Sequence, residues 1–383
     1  MAATMTAAAP TAAPLVWLGA PSPGGLALPD ARPTPAQLYA PRGVFLNDAL
    51  LAVADSGNHR VLIWHSLPQA DGAPADVVLG QPDFWSEGPA AGGRGPANGV
   101  HLPTGLLVAE GRLYVADAWH HRVLVWERVP ERSNTPPDYA LGQATLADAE
   151  PNRGGPPGPL SLYWPYGLGW CAGWFYVADT GNRRVLGWRG LPAPEQPPDL
   201  VLGQPSPAAN DENRAGPPGP ASFRWPHAIA GDGASLYVAD AGNHRLLGWA
   251  PPPAADRPAD LVLGQPDFAG AREQPHVPQG PSKLRFPYAV ACDGGLLATA
   301  DTANNRVLVW DALPRQGTFQ PAALVLGQDD FAGSGENRWH AVAHDSLCWP
   351  YGLALHRNRL AIADSGNNRV MIWALTGAEE GAA

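Results

Sequence analysis

The stretch VADSGNHRVLIW, Val53 to Trp64, sets an Asp, an Asn, a His and an Arg between two apolar runs. A carboxylate, an imidazole and a guanidinium this close together are the parts of a general acid–base site. A second cluster, WHAVAHDSLC, spaces His340, His344 and Cys348 at i, i+4 and i+8, which would align three metal ligands on a helix. GLGWCA, Gly167 to Ala172, fits the GxGxxA pattern of dinucleotide-binding turns. Each reading needs an element to hold it, and the elements decide among them.

The first cluster recurs as ADAWHHRVLVW at Ala116, ADTGNRRVLGW at Ala178, ADAGNHRLLGW at Ala239, ADTANNRVLVW at Ala300 and ADSGNNRVMIW at Ala363. The aspartates Asp55, Asp117, Asp179, Asp240, Asp301 and Asp364 stand 61 to 63 residues apart, each nine residues before a Trp and fourteen after a Pro. A pattern present six times is a scaffold. Its Asp, Asn and Arg are expected to satisfy a turn, the Asp accepting from backbone or Arg. His59 and His244 fall between Asn and Arg, where Arg183, Asn305 and Asn368 also occur, so no imidazole is required there. In the second copy Trp119-His120 replaces Gly-Asn, and the turn there is expected to differ.

Runs of Val, Leu, Tyr and Trp bounded by Gly, Pro and Asp read as four strands per repeat: a after the proline, b ending at the Asp, c from the Arg to the Trp, and d ending in ALGQ or VLGQ. Radial repetition of such units predicts an all-β, six-bladed propeller of four-stranded antiparallel blades. The sixth repeat lacks strand d, whereas PLVWLGAP near the N-terminus has no blade of its own. Val16 to Gly19 is therefore expected to close the last blade. That gives one domain over 14–375, with flexible tails at 1–13 and 376–383. GLGWCA then lies in a strand with no helix after it, which rejects the dinucleotide reading. SLCWP aligns with SLYWP and SFRWP, so Cys348 belongs to the extended chain leading into strand a, against a metal-binding helix.

The six in-phase copies of Asp, short turn, Arg and aliphatic residue, five of them reading Asn-x-Arg and the second departing at His120, resemble the NHL-repeat family of propellers from about Pro14 to Trp373. The resemblance implies the six-bladed fold. It leaves activity open, since the family and its relatives include protein-binding modules, RNA-binding modules, and lyases or hydrolases with a metal in the central channel. The net charge of −10, with Lys283 as the one lysine, argues against nucleic acid and anionic membranes. Three cysteines form no CxxC and cannot all pair, so a reducing, cytoplasmic setting is expected. No signal peptide or membrane span is read, and a soluble monomer is expected.

In a four-strand meander the d-to-a and b-to-c connections share one face. The d-to-a loops keep constant length with varied sequence, which places function there. Three of them carry Asn-Arg at one offset, Asn152-Arg153, Asn213-Arg214 and Asn337-Arg338, either to tie the loops or to bind anions. The chemically variable positions flank each proline. Two before it stand Tyr39, His101, Tyr163, Arg224, Arg285 and Cys348; one after it stand Arg42, Thr104, Tyr166, His227, Tyr288 and Tyr351. Strand a is innermost, so Arg42, His101, Tyr163, Tyr166, Arg224, His227, Arg285, Tyr288 and Tyr351 are predicted to form a bowl at the channel mouth. Such a bowl suits a small anionic ligand or a protein segment. A non-enzymatic binding or scaffold propeller without metal or cofactor is expected. The alternative is a channel-mouth lyase or hydrolase, with His227 or His101 as base or metal ligand, Tyr166, Tyr288 and Tyr351 as acid or oxygen-positioning groups, and Arg42, Arg224 and Arg285 as anion clamps.

Overall fold

A computed structural model describes residues 10–20, 32–273 and 277–376. They form six antiparallel blades in a ring. The first blade runs Gly43–Leu46, Leu51–Asp55, Arg60–Trp64 and Val77–Leu79, hydrogen-bonded in that order. Its middle strands are buried throughout, and alternate residues serve different neighbours. Leu51, Val53 and Leu62 share a core with Ala361 and Val370 of blade six. Ala52, Ala54, Val61 and Ile63 share one with Leu113, Val115 and Leu124 of blade two. The period-2 alternation of a strand thus becomes two apolar faces, each stacked on an adjacent blade.

Strand a of each blade touches the next around the ring, and Pro350–His356 of blade six returns to Gly43–Leu46. These innermost strands approach closely because the second residue after each proline is small. A Cβ on Gly43 would strike the carbonyl of Thr104, and one on Gly352 the carbonyl of Arg42. The recurrent Trp has a different task. Trp64, Trp126, Trp188, Trp249 and Trp310 each donate their indole N–H to a carbonyl of the loop leading into strand d, at 3.0 to 3.2 Å. The indole nitrogen of Trp373 is buried with no partner among the described residues.

Blade six is closed by the N-terminal strand, as the missing d strand predicts. Thr11–Gly19 pairs antiparallel with Arg369–Thr376, with Leu18 opposite Val370. The strand is longer than Val16 to Gly19: Thr11, Ala12 and Ala13, expected in a flexible tail, pair with Thr376, Leu375 and Ala374. The remainder of the predicted tails, 1–9 and 377–383, lies outside the described residues. One further strand, Gly317–Thr318 from a loop of blade five, adds in parallel to the edge strand Leu261–Leu263 of blade four. Among the described residues no helix is long and apolar enough to cross a membrane.

Candidate functional site

The repeated acid, amide and guanidinium build a buried strut in every blade. Asp179 Oδ1 accepts from the backbone N–H of Tyr163 at 2.8 Å, and Oδ2 accepts from Asn182 and from Arg184 Nε at 2.8 and 2.7 Å. The remaining Arg184 donors reach the carbonyls of Pro207, Gly158 and Ser161, so the guanidinium gathers the loop on each side of its blade. Both side chains are fully buried. Buried as it is, the pair presents no donor or acceptor to a substrate. The second blade departs in sequence only. His120 Nδ1 lies 2.8 Å from Asp117 Oδ2, replacing the amide donor. Contrary to expectation the turn keeps its form, a 3-10 turn over Ala118–His120 followed by a left-handed His121.

The residue between Asn and Arg has a role that the sequence concealed. It is left-handed in all six turns, and in five its side chain accepts from the backbone N–H just before the next blade's proline. His59 Nδ1 accepts from Leu102, His121 Nδ1 from Trp164 and His244 Nδ1 from Phe286, at 3.1 to 3.2 Å. Asn305 and Asn368 do the same for Trp349 and Ala40 at 2.9 Å. Imidazole and carboxamide interchange because each supplies one acceptor at similar reach. The five receiving residues are themselves left-handed, with φ between 45° and 54°. That conformation costs roughly 1–2 kcal/mol for a non-glycine residue, and the clasp holds it. Arg183 has no acceptor to offer. Trp225 instead donates to Asp240 at 3.3 Å and, alone among the six, has no positive φ.

That irregularity sits beside the channel mouth, where the six residues after the prolines meet. Arg42 crosses the mouth to donate to the Tyr166 hydroxyl at 2.7 Å, and its guanidinium lies 5.1 Å from the Tyr351 ring. Tyr351 packs on Tyr288 at 4.8 Å, Tyr288 on His227 at 4.5 Å, and His227 on Tyr166 at 4.5 Å. Thr104, the smallest member, is buried and donates to the Tyr166 carbonyl at 3.0 Å, which leaves room for Arg42 above it. Together they line a channel cavity of about 80 Å³. Arg42 has no carboxylate partner among the described residues.

The protonation states follow from these contacts. His227 Nδ1 is 3.0 Å from the Trp225 carbonyl, so Nδ1 carries the proton and the Nε2 lone pair has no partner among the described residues. Burial lowers its pKa to about 4, outweighing the Trp225 hydrogen bond, so the ring is neutral at pH 7. Burial likewise raises the phenols of Tyr288 and Tyr351 against the opposing pull of Arg42. The mouth thus holds one cation, three phenols and a neutral imidazole.

The residues before the prolines lie outside this ring. Tyr163 and Arg224 cover the glycines of their own turns, Gly181 and Gly242, where a Cβ would meet them. Arg224 pairs with Glu212 at 3.0 Å and Arg285 with Glu273 at 2.7 Å, so the charges of two expected anion clamps are already met. His101 belongs to another cluster, 5.1 Å from His59 and 5.5 Å from His120, and does not join His227. His344 packs on Trp17 while Cys348 sits against Gly366. Among the described residues no three metal-ligating groups converge.

The Asn-Arg loops resolve into ties. Asn152 and Asn182 exchange amide hydrogen bonds at 3.1 and 2.8 Å, and Arg153 pairs with Glu195. Between blades three and four lies a cavity of about 270 Å³ lined by Tyr163, Trp164, Arg183, Trp225 and, shared with the channel ring, Tyr166, His227 and Tyr288. Trp164, Arg183 and Trp225 were not singled out as site residues from sequence. The available signal was Arg183 alone, a non-acceptor where the other copies carry His or Asn.

No family model matches the sequence, and no curated protein does. Among solved structures the chain is similar to a structural-genomics protein of unknown function from Bacteroides thetaiotaomicron, at 12% identity over 96% of this chain and 76% of that one, TM-score 0.47. It is also similar to virginiamycin B lyase from Staphylococcus aureus, at 11% identity over 88% and 95%, TM-score 0.40. Glutaminyl cyclase from Myxococcus xanthus follows at 12% identity over 71% and 90%, TM-score 0.39. Likenesses of this degree carry no functional argument, and the class defined here, a six-bladed β-propeller, rests on the pairing of the blades themselves.

Proposed function

We propose that this chain is a binding propeller of NHL type, holding a small anionic ligand at the channel mouth on the d-to-a face. The six Asp-turn-Arg copies, five of them with Asn two residues before the Arg, support the NHL kinship. The observation that carries the function is Arg42: a cation with no carboxylate partner among the described residues, set among the Tyr166, Tyr288 and Tyr351 phenols beside a neutral His227. Forked N–H donors with flanking hydroxyls match a carboxylate or phosphate oxygen. A single enclosed charge fits a small anion better than a protein segment. Three unpaired cysteines agree with a reducing, cytoplasmic setting.

The test is calorimetric titration with a panel of small carboxylates and inorganic phosphate. Arg42→Met is expected to weaken binding at least tenfold with little change in melting temperature. Equal affinity in wild type and variant removes the reading.

One observation favours the lyase or hydrolase alternative, the unpartnered Nε2 of His227 beside two phenols. An imidazole whose pKa lies at about 4 is a weak base at neutral pH, and no carboxylate lines the channel cavity to raise it. Turnover of a bound anion that disappears in His227→Gln would favour the enzyme.

A further inference from the structure

The blades are copies, so a place where one interface breaks the pattern of the other five needs its own reason. Arg183 is that place. Because it cannot accept a hydrogen bond, Trp225 is released from the left-handed conformation adopted by Ala40, Leu102, Trp164, Phe286 and Trp349. The Trp225 carbonyl then faces His227 Nδ1 and fixes which imidazole nitrogen is left free. The Trp225 indole, 36% exposed, forms one wall of the cavity between blades three and four, and Trp164 and Tyr163 line it too. Arg183 also borders it. Two of its donors are spent on the carbonyls of Gly181 and Asn210, its Nε is buried without a partner, and it has no carboxylate partner among the described residues.

We propose that this cavity is a second compartment of the channel-mouth site and takes the flat ring of a small aromatic carboxylate, the anion lying toward Tyr166, His227 and Arg42. The inference rests on the anion-binding reading given above and adds the body of the ligand to it. Size agrees: an engineered cavity of about 150 Å³ accepts benzene, and this one is about 270 Å³, enough for one or two fused rings. Wall chemistry agrees too. Indole and phenol faces favour a planar π-system over a saturated ring of the same volume. Charge agrees, because Arg42 lines the adjoining channel cavity, which shares Tyr166, His227 and Tyr288 with this one, and no carboxylate among the described residues lines either space.

Benzoate, cyclohexanecarboxylate and benzyl alcohol separate the ring from the charge. In calorimetric titrations of the full chain, benzoate is expected to bind at least tenfold more tightly than either of the others. Trp225→Ala removes a wall. Arg183→Asn installs the acceptor found in the other turns and draws Trp225 back into the left-handed form. Both are expected to cost benzoate at least tenfold while leaving cyclohexanecarboxylate within about twofold, and Arg183→Asn is expected to melt no lower than wild type. If Arg183→Asn fails to fold, Trp225→Ala decides. Benzoate and cyclohexanecarboxylate binding equally, both through Arg42, would overturn the aromatic compartment and leave the anion site standing. Benzyl alcohol binding as tightly as benzoate would overturn the anion site and with it the carboxylate. No binding by any probe overturns both.

Discussion

A histidine, an asparagine and an arginine can occupy one repeat position only if the position asks for very little, yet five of the six turns ask for an acceptor. That requirement was not legible in the sequence, because the recipient N–H lies some 42 to 44 residues away in the next blade. The Asp-Asn-Arg strut was legible, since its members are neighbours and recur without exception but for His120. The two features predict opposite tolerances. Asp179→Ala leaves Arg184 buried and uncompensated, and is expected to cost about 3–5 kcal/mol in urea unfolding. His121→Asn exchanges one acceptor for another and is expected to be near neutral, whereas His121→Leu orphans the Trp164 N–H, a loss of about 1–3 kcal/mol. Equal losses for Asn and Leu at 121 would sever the clasp from stability.

At the scale of elements, the N-terminal closure is legible from the strand count, because a four-stranded repeat that ends after three must borrow its fourth. Its length was not legible: Thr11–Ala13 has no apolar alternation, and these residues are held by pairing with Arg369–Thr376 rather than by burial. Gly317–Thr318 escaped for the same reason, being two exposed residues joined through backbone alone. The weight of the closure falls on Trp17, 3% exposed in the core between blades five and six, with the Arg369 guanidinium 5.0 Å from its ring and the His344 ring tilted against it at 4.6 Å. Trp17→Ala is expected to lower stability by about 3–5 kcal/mol. Removing residues 1–19 leaves the edge of Arg369–Thr376 open, and concentration-dependent association on size exclusion is the expected result. A truncated chain that shows no such association and melts like wild type would mean that the ring does not depend on this strand.

Over the whole molecule, the face that carries the site is also the face that acid should loosen. His59, His121, His227 and His244 all have pKa values lowered to about 4, with burial the largest cause in each. Three of them also spend the Nδ1 lone pair on a clasp, which a proton at that nitrogen would abolish. The unfolded chain binds protons near pH 6.5 and the folded chain only near 4, so between these values the unfolded state holds more protons and stability rises with pH. The contribution is fully present above about pH 6.5 and is lost as pH falls toward 4, by about 1–3 kcal/mol for each buried ring. The melting temperature is therefore expected to be flat above neutrality and to fall steeply below pH 6. Converting His59, His121 and His244 together to Asn keeps every clasp and removes three of the titrating groups, so the fall should become shallower. An unchanged slope in that variant would place the acid sensitivity outside the three clasping histidines. It would also separate the stability of this face from the repeat position where Arg183, which does not clasp, borders the cavity beside His227.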